Sequence, residues 1–326
     1  MLKVENITTI FKTGQNTVTA VDDVSFDVPE NSTIGLVGES GSGKSVTALS
    51  ILQLLSSNGK TTSGKVLWKD EDLLSSSEKS FQSIRGKEIG LIFQNPLAAL
   101  NPVFTIGNQL VETLQLHNPK LSKLNALEKA EHLLTEVNIP DAKKRLNDYP
   151  HQFSLGMCQR IMIAITIAMN PKLLIADEPT ASLDVTIQAQ ILHLLNELKI
   201  KNKMSILLIS HDLGVIAQHC DHVLIMYLGK IVESGTPLDI FKSPQHPYTQ
   251  ALIDSIPNPD PSIKKEPTLL KGDIPSPLNI PTGCRFHTRC PKAFDTCEIS
   301  EPPFQNHLKN SKTSKVACHL FENKPK

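Results

Sequence analysis

Neither charge predominates in this sequence: 33 Lys+Arg stand against 33 Asp+Glu. Without a basic field, the chain lacks the sequence-independent attraction on which general nucleic-acid binding depends, so no nucleic-acid partner is expected. Long apolar runs are also missing. The longest, IMIAITIAM at 161–169, falls well short of the ~18 residues that mark a membrane span. Any membrane association is therefore expected to come through a partner. The opening MLKVENITTI lacks the basic head, apolar run and small-residue cleavage site of a signal peptide, which predicts a cytosolic chain. No internal repeat is evident. Six cysteines in that compartment point to thiols or metal ligands before disulfides.

What is present suits a globular protein. A chain of 326 residues with 40% hydrophobic and 20% charged residues can bury a large core in one large or two modest domains. AVDDVSFDV (20–28) alternates apolar and polar residues and reads as a strand, and STIGLVG (32–38) reads as a buried one. SVTALSILQLL reads as a helix. EIGLIFQ, KLLIAD, SILLIS and HVLIMYLG are further runs of strand length. VTIQAQILHLLNELK places Ile187, Ile191, Leu194, Leu195 and Leu198 on one helical face. Strands alternating with helices predict an α/β layered domain. From about 95 to 168 helical patterns such as KLNALEKAEHLLTEV replace the strands, which predicts an inserted helical subdomain. Beyond residue 255, IPNPDPSIKKEP and GDIPSPLNIPTG break both periods and read as a Pro-rich linker before a small irregular module.

GESGSGKS at 38–45 fits the phosphate-loop pattern G-x-x-x-x-G-K-[ST]. Backbone N–H groups of Gly38, Glu39, Ser40, Gly41, Ser42 and Gly43 can cradle phosphate oxygens, and the following helix adds its positive end. Lys44 is placed to reach the β/γ-phosphates, and Ser45 to ligate Mg²⁺. In LLIADEP (173–179) an apolar strand runs into two carboxylates. Asp177 is a candidate Mg²⁺ ligand, and Glu178 a candidate general base for the attacking water. A surface acidic pair would not need that apolar run before it.

The order GESGSGKS, FQNP, FSLGMCQR, LLIADEPTASLD, ISHDL resembles an ABC-transporter ATPase over residues 1 to about 255. The resemblance implies a P-loop ATPase cassette with an antiparallel β subdomain, the helical subdomain, and ATP with Mg²⁺ as cofactors. It makes Phe11 the aromatic stacked on adenine and Gln94 the glutamine that senses Mg²⁺ and the membrane domain. Ser154 begins the signature motif with Gly156 inside it, Ser182, Leu183 and Asp184 form the D-loop, and His211 contacts the γ-phosphate. Asn31 stands where the family usually has glycine, and asparagine tolerates a left-handed turn. His219 and His222 read as surface residues.

FQNPLAALNPVFTIGNQL, SPQHPYTQALIDSIP and the tail GCRFHTRCPKAFDTCEISEPP narrow the resemblance to the oligopeptide/dipeptide branch of ABC importers. That branch pairs two different ATPase subunits on two membrane permeases, with an external solute-binding protein. It implies a peripheral protein on the cytoplasmic face of the membrane. Close relatives import nickel or metallophores. A soluble ABC protein of translation or repair is a poorer match, since the chain has one cassette and no long heptad run. A weakly hydrolysing regulatory subunit is opposed by Glu178 and His211.

Cys284, Cys290, Cys297 and Cys318 do not match the paired spacing of a zinc ribbon. Spacing alone leaves zinc, an iron–sulfur cluster and free thiols open. The resemblance favours a [4Fe–4S] cluster, a four-thiolate site, and Cys158 and Cys220 read as ordinary thiols. Finally, Leu155 stands between Ser154 and Gly156, in a motif that the family aims at the partner subunit's ATP. Either the leucine is tolerated variation or it weakens that partner site.

Overall fold

The computed structural model describes residues 1–256, 270, 272–306 and 314–321. Most of IPNPDPSIKKEP therefore lies outside the described residues. The chain forms two compact units, one of Met1–Pro29, Thr33–Leu74 and Leu208–Lys326, the other of Glu30–Ser32 and Ser75–Leu207.

In the first unit a four-stranded antiparallel sheet has the order Asn16–Val28, Leu2–Thr13, Gly59–Trp68, Glu71–Asp72. Alternation along these strands buries Leu2, Val4, Ile7, Val24 and Val28 on one face. A second set of strands has the order Phe304–Asn306, Lys315–Ala317, Lys230–Gly235, His222–Tyr227, Thr33–Val37. Thr33–Val37 and His222–Tyr227 are parallel, with Ile34 opposite His222 and Val37 opposite Ile225. All five residues of Thr33–Val37 are buried, as expected of a strand covered on both faces.

The helix after this strand runs over Lys44–Ile51 and stops before the expected LQLL continuation. Gln53 turns into the left-handed region at φ 50°, and its side-chain amide donates to the Leu73 carbonyl at 2.6 Å. The C-terminal module is also less irregular than its composition suggests. Gln305 pairs with Val316, and Val316 with Glu233, so the tail adds two strands to the first unit's sheet. Residues 272–283 carry neither helix nor strand.

In the second unit Ile89–Ile92 lies parallel to Leu173–Asp177. Between them come the helices Pro96–Ala99, Ile106–His117, Lys123–Glu136, Ala142–Arg145 and Leu155–Ile167. Thr105, Ser122 and Ser154 each cap a helix by accepting the N–H three residues on. Val111, Leu114 and Ala126 form a core between Ile106–His117 and Lys123–Glu136. The apolar run at 161–169 is largely the buried helix Leu155–Ile167, with Ile161, Ile163 and Ala164 fully covered. No described helix is long and apolar enough to cross a membrane. Asn31 takes the left-handed turn expected of it, at φ 56°.

Candidate functional site: a phosphate loop and its neighbours

Strand Thr33–Val37 delivers the chain into the loop Gly38–Gly43 and then helix Lys44–Ile51. Two glycines are required by the packing. A Cβ on Gly38 would lie 2.1 Å from the Met226 carbonyl oxygen, and Gly43 has φ 107° with Ala20 O 2.4 Å from a built Cβ. Side chains at either position would push the loop off the strand below it. The Ser42 carbonyl accepts from Gly229 N–H at 2.8 Å, which pins the loop's far side to a turn.

Lys44 is buried. Its ammonium donates to the Gly38 carbonyl at 2.7 Å and the Glu39 carbonyl at 3.0 Å, so it lies across the mouth of the loop. Ser45 is half-buried one residue into the helix, and Ser40 and Gly41 are exposed at the loop tip. Glu39 is half-buried. The Glu39 N–H donates to Tyr248 Oη at 2.9 Å. The Glu39 carboxylate takes two bonds from Arg289, Nη1 to Oε2 at 2.8 Å and Nη2 to Oε1 at 3.3 Å. The motif itself carries no signal for these partners, which sequence reasoning missed. Tyr248 lies in SPQHPYTQALIDSIP, a segment that marked the family and had no assigned role.

Phe11 is half-buried in Leu2–Thr13. Its ring lies over Gly59, where a built Cβ would come within 2.6 Å of Cε1. His211 follows the strand Ser205–Ser210 and is exposed. His219 and His222 are half-buried rather than on the surface. His222 opens a strand, and burial lowers its pKa first, with Lys315 adding to the effect.

In the second unit Asp177 ends its strand with 9% exposure, and Glu178 follows at φ 46°. The Gln94 amide donates to Glu178 Oε2 at 2.9 Å, which brings two of the candidate catalytic residues together. Ser182 is left-handed at φ 64°, and Asp184 caps Val185–Asn202 by accepting Ile187 N–H at 3.0 Å. The signature helix packs against the same segment: a Cβ on Gly156 would lie 2.8 Å from Ile187 Cγ2. Arg160 donates to the Val137 carbonyl at 3.0 Å and to Gln190 at 2.9 Å. Ser154 is the N-cap, accepting Met157 N–H at 3.3 Å, and Leu155 is half-buried as the first helical residue.

Cys284, Cys290, Cys297 and Cys318 line one cavity of about 10 Å³ together with His246, Phe286 and His319. Burial pushes the Cys284 thiol up to about 11 and the Cys318 thiol up to about 12, and raises Cys290. Backbone N–H groups act in the opposite direction: those of Phe286 and His287 on Cys284, Lys292 on Cys290 and Leu320 on Cys318. Among the described residues, no group of three or more His, Cys, Asp or Glu side chains forms a metal-ligand set. Cys158 and Cys220 are buried, in no disulfide, and outside this cluster.

A phosphate loop after a buried parallel strand, followed by an acid-tipped strand, defines a P-loop nucleotide-binding protein. Residues 21–181 match the ABC transporter family, and residues 232–297 the oligopeptide/dipeptide transporter C-terminal region. The chain is 48% identical to the oligopeptide transport ATP-binding protein AppD of Bacillus subtilis, over 99% of this chain and 97% of that one. It is 44% identical to the oligopeptide transport ATP-binding protein OppD of Salmonella typhimurium, over 93% and 89%. Among solved structures, the ATP-binding cassette MJ0796 bound to ADP and Pi aligns with a TM-score of 0.66 at 26% identity, covering 73% of this chain and 99% of that one. The chain belongs to the ABC transporter ATP-binding subunits of the oligopeptide/dipeptide type.

Proposed function

We propose that this chain hydrolyses ATP to drive an importer of peptides, sitting at the cytoplasmic face of the membrane on two permease subunits that receive solute from an external binding protein. The observation that carries this is the likeness to peptide-transport ATP-binding proteins along nearly the whole chain, tail included. Residues 1–255 are the ATPase domain, with the helical subdomain at about 95–168, and 256–326 the linker and cysteine module.

Phe11 stacks on the adenine ring, which suits a half-covered aromatic face. The loop Gly38–Gly43, Lys44 and Ser45 bind the phosphates, and the Ser45 hydroxyl and Asp177 carboxylate are the hard oxygen donors that suit Mg²⁺. When bound, Mg²⁺ neutralises charge on the phosphate oxygens. Gln94 orients Glu178, which accepts the proton of the attacking water, and His211 contacts the γ-phosphate. Ser154, Gly156 and Asp184 serve the nucleotide held by a second, different ATPase subunit.

In a reconstituted complex with both permeases, peptide-loaded binding protein should stimulate hydrolysis. Stimulation by nickel or a metallophore alone would move the solute to the alternative class. In the same complex Leu155→Gly should speed turnover at the second subunit's loop and leave this chain's own site unchanged. Equal rates would make the leucine tolerated variation.

The tail we assign to a [4Fe–4S] cluster held by Cys284, Cys290, Cys297 and Cys318. Four thiols lining one cavity, Cys297 and Cys318 buried and Cys284 and Cys290 half-buried, with three of the four receiving backbone N–H groups, support the assignment. Such a centre would add folding free energy to a loop-rich segment. Anaerobically purified protein should contain iron and acid-labile sulfide, and Cys290→Ser should lose both. Stoichiometric zinc without iron would replace the cluster, and absence of both metals would leave free thiols.

A further inference from the structure

The phosphate loop is gripped from the C-terminal module at its second residue. Glu39 is held from three sides: its carboxylate by Arg289, its N–H by Tyr248 Oη and its carbonyl by Lys44. Arg289 is only 9% exposed, and its Nη1 also donates to Tyr227 Oη at 3.4 Å. Tyr227, Tyr248 and Phe286 are all but fully buried. Their rings contact one another with centroids 4.7–5.5 Å apart, so the grip rests on a rigid aromatic platform.

Arg289 closes the short helical turn His287–Arg289, flanked by Cys284 and Cys290. His287 N–H donates to the Cys284 carbonyl at 2.9 Å, and Cys284 N–H to the Cys297 carbonyl at 2.8 Å. The backbone that carries the thiols therefore also aims the guanidinium.

We propose that Arg289 is a positioning residue for nucleotide binding: from the cysteine module it fixes Glu39, and with it the N-terminal half of the phosphate loop, in the shape that receives phosphate. The physical reason lies in Lys44. To bind phosphate, its ammonium must share or leave the Gly38 and Glu39 carbonyls. A loop anchored independently at Glu39 keeps its N–H groups converged when the lysine moves, so less ordering is demanded at the moment of binding. A planar bidentate guanidinium suits this task better than a lysine point charge.

This inference rests on the ATP-binding reading, and the test separates the two. Mg-AMP-PNP is titrated calorimetrically into the full-length wild type and into Arg289→Met, Arg289→Lys, Glu39→Gln and the Met/Gln double variant. Melting of each is followed without nucleotide. Each single loss should weaken binding about tenfold, the scale of a charge-assisted bond. The double should be no weaker than the worse single, and Arg289→Lys should recover part of the loss. In the assembled complex KM for ATP should rise while kcat at saturation changes little. If Arg289→Met does not fold, Glu39→Gln and Arg289→Lys carry the comparison. Binding within twofold of wild type in every folded variant overturns the proposal, as do single losses that add in the double. Wild type that binds no AMP-PNP overturns the ATP-binding reading as well.

Discussion

Lys44→Ala should abolish productive ATP binding. The ammonium is buried against the loop, and in the proposed function it is the point charge offered to phosphate. Its removal also leaves the Gly38 and Glu39 carbonyls without the donor they now share. Truncating one partner of a buried, hydrogen-bonded charge pair costs about 2–5 kcal/mol, or roughly 30- to 4,000-fold in Kd. Alanine is the best helix former, so the helix that begins at position 44 should persist and the loss should be one of binding. Calorimetric titration of ATP is the measurement. Near-normal affinity together with undiminished peptide uptake would remove the phosphate-loop assignment.

Glu178→Gln should leave ATP binding intact and slow hydrolysis by ~10²–10⁴, the usual contribution of a general base. The substitution is nearly isosteric. An amide oxygen can still accept the bond from Gln94 that Glu178 Oε2 accepts at 2.9 Å, so the local geometry should hold. What is lost is the capacity to take a proton from water. The measurement is single-turnover hydrolysis in the assembled complex, with the other subunit's base removed. Unchanged turnover at this chain's site would assign the proton to another group.

The parts of the site that could be read in advance are those whose chemistry is local. Phosphate must meet several consecutive N–H groups and a lysine, so GESGSGKS is contiguous. An acid at a strand end announces itself by the apolar run before it, as in LLIADE. Helix caps such as Ser154 and Asp184 act within three residues of themselves. The layered α/β domain followed from period and order alone. The Glu39–Arg289 pair was beyond reach because its members lie 250 residues apart, and neither motif mentions the other. The tail's strands were hidden for a related reason. Composition around 304–317 marks turns and charge, and only the neighbouring strand Lys230–Gly235 makes Lys315–Ala317 extended. The helix end at Ile51 was set by a side-chain bond from Gln53 to Leu73, not by any breaker in SVTALSILQLL.

The strand before the phosphate loop has its own partner far along the chain: Thr33 N–H is received by Asp221, 188 residues later, and Ile34 lies opposite His222. On the ribosome this order matters. At about 5–20 residues per second, roughly 10–40 s pass between synthesis of the loop and of the strand that supports it. Until the strands Ser205–Ser210 and His222–Tyr227 that flank it in the sheet are made, the apolar run Ile34–Val37 has no mate and is a sticky edge of the kind chaperones shield. Nascent chains halted before residue 221 should be unable to retain nucleotide, however complete their GESGSGKS, and those halted before Arg289 should hold it more weakly than the finished protein.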